Sequence, residues 1–163
     1  MYFTDFGGIY LDTDVLVLRS FDPIRTYSLT LARESSEALA NGIILAKRSS
    51  LFIRIWLEAY ITFNPSQWGE HSVIMAQNLF TLFPHLVHVE ESKLLTPPYG
   101  ERYVLFKSGA FDWKNNYAVH VWKKPGTIPS HILETIPSHP REMQSLNNSL
   151  GDIMRFVYST PFI

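Results

Sequence analysis

The chain has 163 residues, of which 46% are hydrophobic and 18% are charged, with 14 basic against 15 acidic residues. This length is that of about one ordinary domain, and the apolar share is typical of a packed core. A formal net charge of −1 leaves no basic surplus to neutralise a phosphate backbone, which argues against nucleic-acid binding. The absence of cysteine excludes disulfides, thiolate zinc sites and cysteine nucleophiles.

No stretch approaches the roughly 18 consecutive apolar residues of a membrane span. Residues 1–8 carry Asp5 and two glycines but lack the basic and apolar regions of a signal peptide. We therefore expect no targeting signal within this chain.

The first part of the chain shows strand and turn patterns. Residues 9–18 read IYLDTDVLVL, apolar on both sides of an acidic break, which predicts a strand buried on both faces that ends at the break. Asp22-Pro23 indicates a turn, because proline moves its predecessor out of the helical region. Asn41-Gly42 predicts a second turn, which leads into a short buried strand over residues 43–46.

Helix and strand patterns then alternate. Helices are predicted over residues 51–63, with Ser49 or Ser50 as the N-cap, and over 67–83, where Pro84 ends the pattern. Strands are predicted over residues 86–90, 103–106 and 118–122. Beyond residue 125 the chain is polar and rich in proline, with one further helix predicted near residues 153–158. The alternation predicts an α/β domain over residues 1–124 and a looser tail over 125–163.

The sequence Asp12-Thr13-Asp14 is the strongest candidate for chemistry. Two carboxylates at the end of a buried strand cost free energy to desolvate unless a cation accompanies them. Carboxylate oxygens suit Mn²⁺ or Mg²⁺, provided that the chain bends so that both can meet one ion. Gly7-Gly8 directly before the strand implies a backbone that bends tightly or admits a ligand closely. The alternative is a solvated turn with two surface acids.

The full string GGIYLDTDVLVL resembles the DXD-containing sugar-binding region of glycosyltransferases with the GT-A fold. It is most similar to the family that groups α-1,4-galactosyltransferases, α-1,4-N-acetylglucosaminyltransferases and yeast-type mannosyltransferases. The resemblance continues through Asn41-Gly42, the helix after Leu51, Trp68-Gly69 and the AVHVW string at 118–122, about three quarters of the chain. It implies a partial GT-A fold, a mixed sheet flanked by helices, with the DXD-containing and acceptor-side portion in residues 1–124.

The resemblance also implies a reaction and a metal site. Such enzymes transfer a sugar, with retention of configuration, from a nucleotide sugar such as a UDP-sugar to a glycan or glycolipid acceptor. Carried over to this chain, Asp14 would bind Mn²⁺ (or Mg²⁺) directly, and Asp12 would contact the ribose and share the field of the metal. His120 would be the third ligand; its alternative is a core histidine packed among Val119, Val121 and Trp122.

Further site residues are implied by the same resemblance. Gly8, Asn41 and Gly42 would border the donor, although Asn-Gly also has a plain explanation as a turn. Trp68, Glu70, His71 and Trp122 would lie on the acceptor side. For Trp122 the alternative is core packing, and for Glu70 it is a favourable position near a helix N-terminus.

The family also has parts that this sequence does not show. A GT-A enzyme has a nucleotide-binding half before the DXD strand, and family members are anchored in the Golgi membrane by one N-terminal span. We therefore expect a C-terminal fragment of a longer protein that is lumenal in the Golgi and attached to the membrane only through that absent anchor. The alternatives are a chain completed by a partner, or a truncated, non-catalytic relative that binds sugar or protein.

Overall fold

The computed structural model describes residues 2–67, 69–123, 129, 132, 134 and 136–161. The fold is mixed α/β, as the alternation of patterns predicts. The chain forms two compact units, one of Met1–Asp12 with Phe21–Leu95 and one of Thr13–Ser20 with Thr96–Ile163. This division differs from the expected one, since residues 96–163 all belong to the second unit. The expected domain of residues 1–124 and its tail stay a prediction.

In the described part of the chain, regular elements follow one another in this order. The strands are β1 (Gly8–Leu11), β2 (Val15–Val17), β3 (Leu29–Ser35), β4 (Ala38–Ala46), β5 (His88–Glu90) and β6 (Ala118–His120). The α-helices are α1 (Tyr2–Phe6), α2 (Leu51–Ala59), α3 (Met75–Leu82) and α4 (Ser149–Ser159). Tighter 3₁₀ turns cover Tyr60–Thr62, Pro84–Leu86, Tyr99–Phe106 and Pro140–Ser145, and a π-helical turn covers Glu70–Ile74. None of these helices is long and apolar enough to cross a membrane.

The first unit contains a four-stranded mixed sheet in the order β1-β4-β3-β5. The β1–β4 and β3–β4 pairs are antiparallel, and β3–β5 is parallel. Helix α2 buries Phe52, Ile53 and Trp56, which its 3.6-residue period brings to one face. These side chains form one core with Leu31 of β3 and Leu79 of α3, so helices cover the sheet as expected.

The Asn41-Gly42 prediction is wrong, because the pair lies inside β4. The β3–β4 turn is instead at residues 36–37. The partner of Leu31 is Ile44, but the partner of Ala32 is Ala40, so β4 carries extra residues at this point. Such a bulge lets an Asn-Gly pair lie in a strand, which sequence reasoning took for a chain reversal.

The second unit is built on the antiparallel pair of β2 and β6, in which Val15 faces His120. Its core includes Leu105, Val119 and Ile153. The predicted strand over residues 103–106 is wrong, since this segment belongs to the 3₁₀ turn Tyr99–Phe106. A short apolar run does not by itself distinguish a strand from a helical turn.

The strand predicted over residues 9–18 is present as β1 and β2, separated at the acidic residues. Its predicted burial on both faces is wrong: Ile9 and Tyr10 are 47% and 45% exposed. The reason is that β1 lies at the edge of the described sheet and pairs only with β4 there. The strands at residues 86–90 and 118–122 are confirmed in part, as β5 and β6.

The helix predictions are confirmed with changed ends. Helix α2 stops at Ala59 and continues as a 3₁₀ turn to Thr62. The second predicted helix begins with the π-helical turn at Glu70 and ends at Leu82. Ser50 occupies the N-cap position of α2, but its hydroxyl makes no capping hydrogen bond. Helix α4 contains the helix predicted near residues 153–158.

Candidate metal centre

Asp12 stands directly after β1. Its backbone N–H donates to Gly42 O at 2.8 Å, which extends the β1–β4 pairing by one hydrogen bond. The Tyr10 hydroxyl donates to Asp12 Oδ1 at 2.6 Å. Backbone and carboxylate of Asp12 are therefore both oriented by residues of the first unit.

Asp14 is held by the segment that leaves β6. Its carboxylate Oδ1 lies 3.0 Å from His120 Nε2, and its Oδ2 accepts the backbone N–H of Lys123 at 2.6 Å. Its backbone carbonyl accepts the N–H of Val121 at 3.0 Å. Three contacts from residues 120–123 thus fix both the main chain and the carboxylate of Asp14.

His120 is the last residue of β6 and is 5% exposed. Its backbone N–H donates to Thr96 O at 2.9 Å, and its ring centroid lies 4.0 Å from that of Trp122. The expected alternative, a packed histidine with a backbone hydrogen bond, therefore describes part of its surroundings. The contact of its Nε2 with a carboxylate is the part that the alternative does not explain.

The charge of Asp14 is stabilised in place. Burial on its own would raise the pKa of the Asp14 carboxyl. The hydrogen bond and charge of His120 and the N–H of Lys123 outweigh burial, so the pKa of Asp14 lies below its ordinary value. Asp14 is accordingly an anion at neutral pH, the form that a cation requires.

Only Thr13 separates Asp12 from Asp14, so two peptide units tether the second carboxylate beside the first. Asp12, Asp14 and His120 each offer one ligand atom, and these atoms lie within 4.8 Å of one another. Two carboxylate oxygens and an imidazole nitrogen suit Mn²⁺, and they suit Mg²⁺ less because of the nitrogen. The donor chemistry of these residues therefore fits the expected divalent cation.

The three expected donor residues lie in the first unit at different places. Gly42 is buried in the β4 bulge and accepts the N–H of Asp12, and Asn41 precedes it. Gly8 pairs with Ala46 at the other end of β1, about 13 Å from Asp12 at the usual rise of a strand. The structure thus brings Gly42 to Asp12 and leaves Gly8 at the far end of the strand.

The tight bend expected at Gly7-Gly8 is confirmed at Gly7. Its φ is +68°, and a Cβ there would lie 2.5 Å from the backbone nitrogen of Arg48. Gly8 has a φ of +130°, with no atom near a Cβ built on it. The first glycine is therefore required by both space and conformation, and the second by conformation alone.

Of the expected acceptor-side residues, Trp68 lies outside the described residues. Glu70 and His71 begin the π-helical turn, which follows Gly69 in the left-handed conformation. His71 is buried: its carbonyl accepts the Trp56 indole N–H at 2.8 Å, and its Nε2 lies 3.3 Å from Thr62 Oγ1. Among the described residues, His71 Nδ1 and Glu70 Oε2 have no hydrogen-bond partner. Trp122 belongs to the second unit and contacts His120.

Two features of the site escape sequence reasoning. The N–H of Lys123 is a main-chain donor, which no residue type announces. Trp122 has a φ of 59°, a conformation that a bulky side chain disfavours. A signal for either would need the backbone path, because the amino-acid types argue against it.

Comparisons with known proteins give one relative. The chain is 34% identical over 159 residues to Glucan organizing enzyme 1 of Cryptococcus neoformans var. grubii. The match takes in 88% of this chain and 43% of the relative, so the chain spans less than half of that protein's length. No model of a known protein family matches the chain. No solved structure matches it significantly.

Proposed function

We propose that the chain is part of a metal-dependent glycosyltransferase. The coarse part of this proposal, an enzyme that acts on glycans, is supported by the similarity to a protein named as a glucan organizing enzyme. The finer part is supported by the Asp12, Asp14 and His120 group, whose donor chemistry suits a divalent cation. That group carries the proposal.

The proposed reaction transfers a sugar from a nucleotide sugar, a UDP-sugar first, to a glycan or glycolipid acceptor with retention of configuration. When bound, the cation would supply stabilisation of the negative charge that develops on the departing diphosphate. Asp12, Asp14 and His120 would hold it. We further propose the partial GT-A fold and a lumenal Golgi location, both from the resemblance of the DXD string.

The residues around the group have their own roles in this proposal. His120 and the N–H of Lys123 keep Asp14 ionised and in one orientation. The Tyr10 hydroxyl does the same for one oxygen of Asp12. Preorganised ligands of this kind need no rearrangement when the cation arrives, which favours tight binding.

The test is Mn²⁺ binding by the 163-residue chain, followed by EPR of the free ion. We expect Asp14→Ala to weaken Mn²⁺ binding by at least about tenfold, because one ligand and its orienting contacts are lost. Asp112→Ala is the matched control, since Asp112 is an exposed acid of the second unit outside the group. Equal Mn²⁺ affinity in Asp14→Ala and the parent chain would overturn the metal assignment.

The same preparation separates the enzyme from its alternative. A transferase requires UDP to bind in the presence of Mn²⁺ and to be released by a chelator. The non-catalytic alternative predicts glycan binding that a chelator leaves unchanged. Chelator-insensitive glycan binding without Mn²⁺-dependent UDP binding would favour that alternative.

A further inference from the structure

Trp122 has an uncommon backbone conformation. With a φ of 59° it is one of two non-glycine residues in the described part of the chain with a positive φ, the other being Ser49. For an L-residue the left-handed conformation costs about 1–2 kcal/mol, and a bulky side chain is rarely found there. The surrounding contacts must therefore hold Trp122 in place.

The backbone turn at Trp122 serves Asp14. Val121, just before the turn, donates its N–H to the Asp14 carbonyl at 3.0 Å. Lys123, just after it, donates its N–H to the Asp14 carboxylate at 2.6 Å. Successive N–H groups of an extended strand point in opposite directions, so an extended residue 122 would not send 121 and 123 to these two acceptors in this way. The left-handed residue between them redirects the chain.

The side chain of Trp122 serves His120. The two ring centroids lie 4.0 Å apart with the planes tilted by 31°. The indole N–H donates to Pro97 O at 2.9 Å, next to Thr96, whose carbonyl accepts the His120 N–H. The ring of His120 is thus held by Trp122 as well as by the carboxylate of Asp14.

We propose that Trp122 is a positioning residue for the candidate metal centre. Its left-handed backbone aims the Lys123 N–H at Asp14, and its indole ring sets the orientation of His120. This role differs from the acceptor contact that the resemblance implies for Trp122. It rests on the proposed cation binding for its Mn²⁺ readout but not for its readout in the metal-free protein.

Two substitutions separate the backbone role from the ring. Trp122→Gly removes the ring but adopts a positive φ freely, so it keeps the Lys123 N–H on Asp14. Trp122→Val also removes the ring, and its β-branched side chain resists the left-handed conformation. Trp113→Val is the control, because Trp113 packs on Phe156 in the same unit, away from Asp14.

In the metal-free chain, the readout is the amide proton of Lys123 in ¹H–¹⁵N NMR spectra. We expect a downfield shift of this proton in the parent chain and in Trp122→Gly, and its loss in Trp122→Val. With Mn²⁺, we expect about a tenfold loss of affinity in Trp122→Val, a smaller loss in Trp122→Gly and less than twofold in Trp113→Val. The ¹⁴N coupling of His120 to Mn²⁺ in pulsed EPR should weaken in both Trp122 variants.

An unchanged Lys123 amide proton in a folded Trp122→Val would overturn the backbone role. Unchanged ¹⁴N coupling and Mn²⁺ affinity in both folded Trp122 variants would overturn the ring role. If the parent chain binds no Mn²⁺, the proposed function fails, while the amide proton still decides whether Trp122 positions Asp14. Should Trp122→Val not fold, Trp122→Ala replaces it, since alanine also disfavours a positive φ.

Discussion

Asp14 is contacted through its carbonyl, Oδ1 and Oδ2 by three different residues of one short segment, 120–123. Its neighbour Asp12, by contrast, is oriented by Tyr10 and Gly42 from strands of the first unit. Two acids of one motif are therefore held by different parts of the chain. Each can be tested separately by substitution.

The carboxylate of Asp14 should stabilise the metal-free chain in a pH-dependent way. The pKa of Asp14 is below its ordinary value of 3.8, so its contribution is present above about pH 4 and is lost as the pH falls through the lowered value. We expect Asp14→Asn to lower the free energy of unfolding by about 1–3 kcal/mol at pH 7. The difference should shrink towards pH 3, as measured by urea denaturation with a chelator present.

The control for this measurement is Asp112→Asn, which removes an exposed acid from the same unit. Its effect should be small at both values of pH. If Asp14→Asn costs the same at pH 3 as at pH 7, the charge of Asp14 makes no contribution to stability.

At this scale the sequence identifies the side chains but not their support. Asp12, Asp14 and His120 are all candidates from sequence, and the structure places their ligand atoms together. That they bind a metal stays a prediction. The N–H of Lys123 and the conformation of Trp122 depend on one backbone torsion, which residue preferences disfavour and tertiary contacts impose.

The helix α4 shows how a local signal positions an element. Asn148 is its N-cap, and its side-chain Oδ1 accepts the Gly151 N–H at 2.9 Å. Because this bond satisfies one of the open amides of the first turn, α4 begins at Ser149. Its buried residues Leu150 and Ile153 then reach the core of the second unit.

Loss of this cap should be measurable. We expect Asn148→Ala to lower the free energy of unfolding by about 1 kcal/mol. Asn147→Ala is a control one residue away, since Asn147 is exposed and makes no side-chain hydrogen bond in the described structure. Thermal or urea denaturation of the two variants gives the comparison. Equal stability of both would show that the cap contributes nothing.

Elements with a strong local pattern could be predicted, and those defined by their partners could not. The helices α2 and α3 follow from apolar residues at helical spacing and from flanking prolines. The 3₁₀ turn Tyr99–Phe106 was read as a strand, because only the burial of Leu105 against the second core decides its conformation. The π-helical start at Glu70 also has no sequence signal, since it depends on one extra residue within a helical turn.

At the scale of the whole molecule, the mixed α/β class could be predicted, but the division into two units could not. Residues 13–20 join residues 96–163, because β2 pairs with β6 and not with the sheet that contains β1. A pairing between strands so distant in sequence leaves no trace in composition or periodicity. The acidic break in IYLDTDVLVL marked the place where the chain changes unit, without showing the change itself.

The edge strand β1 should make the chain prone to aggregation. Its residue Ile9 is half exposed, and β1 has one neighbouring strand among the described residues. Unpaired strand edges attract other chains, and a lysine on the edge opposes this. We expect Ile9→Lys to slow aggregation in light-scattering measurements and to change the free energy of unfolding by less than about 0.5 kcal/mol.

Leu82→Lys is the comparison, since Leu82 is 68% exposed but lies on helix α3. It removes an exposed apolar side chain without altering a strand edge. If both variants slow aggregation equally, general surface hydrophobicity and not the edge of β1 is the cause.

The pairing of β2 with β6 also sets an order of events during translation. Asp14 leaves the ribosome long before His120, which lies 106 positions further along. At about 5–20 residues per second, this separation corresponds to roughly 5–20 s of synthesis. Throughout that interval the first unit has most of its chain available, while the carboxylate of Asp14 waits for its partner. The candidate centre is therefore among the last parts of the nascent protein to be completed.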